Sequence, residues 1–190
     1  MRLINPILAF VLAAAVAVPV LAERQRGVTA TPAGPVEVLI IRHGEEPNGG
    51  PHLNDLGRAR ANALINFFKD PLSRPTSLFA AKSSRQSARS VETITPLSKA
   101  LGIPIDVRFG DQDYKKLASS ILHSARHDGG HVLICWHHET MTELAAALGV
   151  ANPPKWPSSQ YDHVWRIRYE KGKKVILTDE PQNLPLGGKY

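Results

Sequence analysis

Residues 36–41 read VEVLII, apolar at every position but Glu37. A run this short and this continuously apolar fits a strand covered on both faces, inside a parallel sheet rather than at its rim. Parallel neighbours cannot be joined by a tight turn, so each needs a crossover, usually a helix. The rest of the chain supplies such crossovers. Residues 53–68 (LNDLGRARANALINFF) carry Leu56, Ala59, Ala63 and Phe67 at helical spacing behind Asn54, a good N-cap. Residues 77–82 (SLFAAK) form a short strand. Residues 85–102 are helical by Val91, Ile94, Leu97 and Leu101; Pro96 should kink or restart that helix, and Gly102 ends it. A strand over 103–109 and a helix over 113–126 follow, the helix with Tyr114, Leu117, Ile121 and Ala125 inward. Then come a strand at 131–136 (HVLICW), a helix over 140–149 closed by Gly149, a proline-rich loop at 152–160 and a hairpin over 162–180 about Gly172. This alternation predicts a three-layer α/β fold, a mostly parallel central sheet with helices on both faces.

The first 22 residues stand apart from that pattern. Arg2 precedes an uncharged, mostly apolar run over 7–22 that ends in Val20-Leu21-Ala22. Charge, apolar run and small-x-small exit describe a secretory signal peptide cleaved after Ala22, and the run is short for a membrane span. The expected product is periplasmic or secreted, with no stable membrane insertion after cleavage. Residues 23–35, polar and small, read as a flexible lead to a single domain over 36–190. The one cysteine, Cys135, lies in an apolar strand and reads as a buried, inert thiol. The net charge of +6 favours anionic partners. No Lys/Arg run is interleaved with aromatics, which argues against nucleic acid.

In sheets of this kind ligands bind beyond the carboxyl ends of the strands. The first strand runs into Arg42-His43-Gly44-Glu45, and the strand at 131–136 into His137-His138-Glu139. Arg85 and Arg89, four apart at an expected helix start, add two guanidiniums. Arginine forks match phosphoryl oxygens, and a neutral imidazole held in one tautomer is a competent nucleophile towards phosphorus. Gly44, lacking a Cβ, would let a ligand approach the backbone, and helix N-termini after His43 and His138 would add N–H donors. No G-x-S-x-G elbow is present. The chain lacks a clear H-x-x-x-H, and adjacent histidines at a strand end point apart, so no metal site and no cofactor are expected. His43 taken alone could merely cap a strand end. Glu45 and Glu46 read as a loop face, and His123, His127 and His131 as surface residues.

These segments together resemble the histidine phosphatase superfamily, the phosphoglycerate mutase-like proteins. RHGE follows the first strand. LNDLGRARA is similar to the L-[ST]-x-x-G-x-x-[QR]-A segment, and SSRQSARSVETITPLSKALG to the S-x-x-x-R-x-x-x-T-x-x-P-L-[AS] helix. VLICWHHETMTELAAALG is similar to the strand bearing the second catalytic histidine. PPKWPSSQYDHVWRI and DEPQNLPLGG look like a bacterial branch in which that histidine sits in a C-W-E-H segment. The likeness spans nearly all of residues 36–188. It implies a phosphoglycerate mutase-like fold and hydrolysis of a small phosphorylated substrate through a phosphohistidine on His43, with Arg42 and Arg89 holding the phosphoryl oxygens. Matching W-H-H to W-E-H puts the second catalytic histidine on His138; a simple count from the strand puts it on His137, which replaces the branch's glutamate. Gly44, Asn54, Arg85 and His137 are the candidate substrate-binding residues. Glu139, Glu45 and Asp113 are the candidate general acids. The alternative is a low-activity or inactive relative that binds phosphate-bearing or other anionic ligands.

Overall fold

The computed structural model describes residues 33–47, 50–71 and 73–186, so the expected signal peptide and most of the flexible lead lie outside the described residues. Six strands form one sheet in the order β3-β2-β4-β1-β5-β6. They are β1 (Glu37–Arg42), β2 (Ser77–Ala80), β3 (Ile105–Asp106), β4 (His131–Trp136), β5 (His163–Arg168) and β6 (Ile176–Pro181). β1 pairs in parallel with β4, with Leu39 opposite Leu133, and β4 and β3 flank β2 in parallel. β5 runs antiparallel to β1, and β6 antiparallel to β5, turning through Gly172 at φ 75°. The mostly parallel α/β architecture is therefore present, closed on one side by the expected hairpin.

The helices are α1 (Asp55–Phe67), α2 (Arg89–Leu101), α3 (Tyr114–Leu122) and α4 (His138–Ala147). β1 carries the period-two logic of a strand buried on both faces. Val38 and Ile40 join Val132, Ile134 and Trp136 against Leu117 and Ile121 of α3 and Met141 and Leu144 of α4. Leu39 and Ile41 join Leu133 and Cys135 against Leu64 of α1, Phe68, and Ile94 and Leu97 of α2. All four β1 residues are fully buried, and each is worth about 1.5–3 kcal/mol by transfer from water. Glu37, the polar exception, is ligated at the opposite end of the strand from the arginine by Arg166 (3.0 Å), Arg168 (3.1 Å) and the His131 ring (3.3 Å). Among the described residues no helix is long and apolar enough to cross a membrane.

Local chemistry moves several boundaries from those the sequence suggests. α2 starts at Arg89 rather than residue 85, because the Ser84 hydroxyl accepts from the N–H groups of Gln86 and Ser87 and holds a turn there. Arg85 is therefore an exposed loop residue and not one helical turn before Arg89. Pro96 sits inside an unbroken α2, where the Thr95 hydroxyl donates to the Val91 carbonyl at 2.7 Å. β3 shrinks to two residues, since the Asp106 carboxylate captures both the backbone and the side chain of Arg108 and ends the strand. α4 begins at His138, two residues early. His127 is buried, not surface: its ring pairs with the Ser77 hydroxyl at 3.0 Å.

The tightest packing lies where β1 hands over to α1. A Cβ on Gly57 would stand 2.4 Å from the Glu45 carbonyl oxygen, and one on Gly44 would stand 3.0 Å from the Gly57 Cα. Two glycines thus let the first turn of α1 press backbone to backbone on the residues after His43. Alanine inside a helix is ordinarily favoured over glycine by about 1 kcal/mol. Here the backbone clash reverses the sign: Gly57→Ala is expected to lower unfolding free energy by at least about 2 kcal/mol in urea titrations.

Candidate active site

His43 follows the last β1 residue and is 1% exposed. Its Nδ1 lies 2.8 Å from the Gly44 carbonyl oxygen. A carbonyl can only accept, so Nδ1 carries the proton and Nε2 keeps its lone pair. Burial, reinforced by the nearby charge of Arg89, the His137 ring and Arg42, outweighs that carbonyl bond and lowers the His43 pKa from 6.5 to about 3. The ring is neutral at physiological pH. The Gly44 N–H donates to the Thr93 hydroxyl at 2.8 Å, and that hydroxyl donates to the Arg89 carbonyl at 2.8 Å. One residue thus fixes the imidazole through its carbonyl and the start of α2, with Arg89, through its N–H. Gly44 does not serve ligand access as expected, because the space its missing Cβ leaves is filled by Gly57.

Arg42 is 2% exposed. Its Nη1 donates to the Ser158 carbonyl and, at 3.3 Å, to the Gln160 carbonyl; Nη2 donates to the Tyr161 hydroxyl at 2.9 Å. The guanidinium carbon lies 3.7 Å from the centre of the Tyr161 ring. Its Nε is buried with no partner. Arg89 Nε donates to the Ser87 hydroxyl at 3.1 Å, and Nη1 pairs with Glu46. The field of Arg89 reaches His43, His137 and His138. The structure therefore brings both expected arginines to His43.

Of the two later histidines, His137 is the one set against His43, with ring centres 5.2 Å apart and nearly edge-on. β4 ends at Trp136 and α4 begins at His138, so His137 is the last extended residue, at φ −91° and ψ 134°. His138 turns instead into the first helical turn, its Nδ1 3.1 Å from a Glu139 carboxylate oxygen. His137 is thus the ring set against His43, and His138 lies in the field of Arg42 and Arg89. Burial lowers the pKa of both, and the nearby arginine charge acts in the same direction. The N-terminus of α4 lies directly beyond His137, whereas the helix after His43 does not begin until Asp55.

The carboxylates separate clearly. Glu45 is no loop-face residue: both its oxygens accept from Arg60 Nε (3.1 and 3.0 Å) and one accepts from Nη2 at 2.5 Å, in a buried pair that Gln182 extends. A carboxylate with both oxygens committed to one arginine is poorly placed to reach a leaving group. Asp113 is turned to solvent, bonded to Lys116 at 2.7 Å and to the Gly110 N–H at 3.0 Å. Glu139, with a side chain 63% exposed, is the candidate acid that shares the field of Arg42 and Arg89. Asp111 accepts from the Thr140 hydroxyl at 2.6 Å and its charge reaches His137. Asn54 spends its side-chain oxygen capping α1 through the Gly57 N–H at 2.9 Å. Among the described residues no group of three or more His, Cys, Asp or Glu side chains is placed to hold a metal ion. Tyr161, whose ring lies 6.1 Å from His43, escaped the sequence reading. Its one signal is position: it precedes the strand that pairs antiparallel with β1 and so returns beside Arg42.

The same architecture occurs in solved structures. Phosphoglycerate mutase from Plasmodium falciparum aligns over 78% of this chain and 91% of its own, at 14% identity and TM-score 0.53. Phosphoglycerate mutase from Bacillus anthracis str. Sterne aligns over 78% and 93%, at 15% identity and TM-score 0.52. The protein histidine phosphatase SixA, complexed with tungstate, aligns over 77% and 97%, at 15% identity and TM-score 0.52. No family model and no curated protein sequence matches the chain. These neighbours are histidine phosphatase superfamily members. The chain has their three-layer, phosphoglycerate mutase-like fold.

Two outcomes follow from the site's electrostatics. Because the folded His43 pKa is depressed, the unfolded chain binds a proton between pH 6.5 and about 3 that the folded ring does not. The contribution of a neutral His43 is complete above pH 6.5 and is lost as pH falls through that window. Nitrogen-detected NMR at pH 5 should find the ring neutral with the proton on Nδ1, and His43→Asn should flatten the acid side of the stability curve. Removing one partner of the Glu45–Arg60 pair leaves a buried charge, so Arg60→Ala should cost about 3–5 kcal/mol by urea denaturation.

Proposed function

We propose that this chain is a metal-independent phosphatase that hydrolyses phosphomonoesters through a phosphohistidine on His43. The observation that carries the reading is the buried, neutral His43 ring with its proton on Nδ1 and its lone pair on Nε2, in the field of Arg42 and Arg89. The fold agrees with it, as does the tungstate, a phosphate-like oxyanion, in the SixA structure. Nε2 attacks phosphorus while Arg42 and Arg89 bind the non-bridging oxygens and hold their charge. The ester P–O bond breaks, and the leaving oxygen takes a proton from Glu139. Water then attacks the phosphoryl group, gives its proton back to Glu139, and phosphate leaves with Nε2 restored. We assign the second histidine's role, donating to a phosphoryl oxygen, to His137 in place of His138, on the 5.2 Å approach to His43. The N-terminal 22 residues support export, so the working place of the domain is the periplasm or the cell exterior.

The test is hydrolysis of p-nitrophenyl phosphate by the mature chain in EDTA. Wild-type protein should turn over, and His43→Ala should fall to background. His137→Ala should lose roughly 100-fold or more in kcat/KM and His138→Ala markedly less, as expected for loss of a group acting on transition-state charge. Equal hydrolysis by wild type and His43→Ala would leave an anion-binding relative in place of an enzyme. Loss of activity in EDTA would remove metal independence.

A further inference from the structure

Arg42 is gripped to an extent that phosphate binding does not require. Residues 157–161 supply acceptors to both of its terminal nitrogens: the Ser158 and Gln160 carbonyls at Nη1 and the Tyr161 hydroxyl at Nη2. The Tyr161 ring covers the guanidinium face at 3.7 Å. The loop doing this is itself pinned. Trp156 Nε1 donates to the Gln160 carbonyl at 2.8 Å, and the Trp156 ring packs 5.0 Å from Trp165, a β5 residue opposite Ile40. The guanidinium is thus held by a rigid aromatic bracket built on the central sheet.

A guanidinium has five N–H donors in a fixed plane. The bracket takes Nη1 and one hydrogen of Nη2. It leaves Nε–H and the other Nη2 hydrogen, and Nε is buried without a partner. A buried, unsatisfied charged donor is costly, and a doubly charged oxyanion would satisfy it.

Resting on the phosphatase reading above, we propose that Tyr161 is the positioning residue for phosphoryl binding. Its ring and hydroxyl fix Arg42 so that the Nε edge, not the Nη tips, meets the oxyanion. Tyr161 acts through Arg42 and lowers the entropy that the arginine would otherwise lose when ligand binds.

Tungstate affinity measured by calorimetry on the mature chain tests this, alongside thermal unfolding and p-nitrophenyl phosphate kinetics. Tyr161→Ala should weaken tungstate about tenfold, because a stacked cation–π contact and a charge-assisted hydrogen bond are lost together. Tyr161→Phe, which keeps the ring, should weaken it about threefold, the scale of one hydrogen bond. KM should rise in step with the tungstate constant, with a smaller change in kcat. Tyr161→Ala binding tungstate within about twofold of wild type, while Arg42→Lys binds it poorly, overturns the proposal. If Tyr161→Ala loses its cooperative unfolding transition, an unchanged affinity in Tyr161→Phe overturns it instead. Wild-type protein that binds tungstate but does not turn over refutes the phosphatase reading and leaves Tyr161 still open to the affinity measurement.

Discussion

The backbone of Gly44 is the joint on which the carboxyl edge of the sheet turns. Its carbonyl orients the His43 ring, its N–H reaches Arg89 through the Thr93 hydroxyl, and its bare Cα lets Gly57 seat α1 against Glu45. Three elements that share one core cluster, β1, α1 and α2, are thereby also placed relative to one imidazole. A side chain at Gly44 would act on all three at once, since Thr93 is fully buried and cannot follow a displaced N–H into solvent.

Charge in this edge is balanced by two different means. Glu45 and Arg60 neutralise each other completely and behind the site, as structural ion pairs do. Arg42 is held by neutral acceptors, two loop carbonyls and the Tyr161 hydroxyl, and Arg89 by the Ser87 hydroxyl and Glu46. These two cations lie beside His43 and His137, whose charged forms burial disfavours. Two arginine–glutamate pairs of similar composition thus differ in setting: Arg60–Glu45 is closed on itself behind the site, and Arg89–Glu46 stands beside the imidazoles.

Much of this was legible from residue order. β1 and β4 announced themselves by unbroken apolar runs, and their polar ends by residues a strand interior cannot hold; both readings rest on the exclusion of water from the sheet. Arg42 and His43 stood at the end of β1, His137 and His138 at the end of β4, and Arg89 at a helix start. What failed depended on partners distant in sequence. Glu45 reads as a loop acid until Arg60 is seen against it. Gly44 reads as an opening until Gly57 fills it. Arg85 lost its helical place to a serine hydroxyl bonded to its neighbours. The choice between His137 and His138 turns on where a strand stops and a helix starts, a boundary that side-chain periodicity defines only to within a residue or two. Tyr161 carried no local signal, because its role comes from an antiparallel return that only the sheet order reveals.

β1 is the first strand of the domain and the middle of its sheet. Its neighbours are β4 and β5, and the bond from Arg168 to Glu37 joins residues 131 positions apart. Until the chain has been made and threaded that far, the most apolar strand of the domain has both hydrogen-bonding edges open and both faces wet. Topologies of this kind fold slowly, and the interval is one in which a bare strand can pair with another molecule. For such a chain, safety during synthesis rests on what shields β1 early, because the contacts that bury it come last.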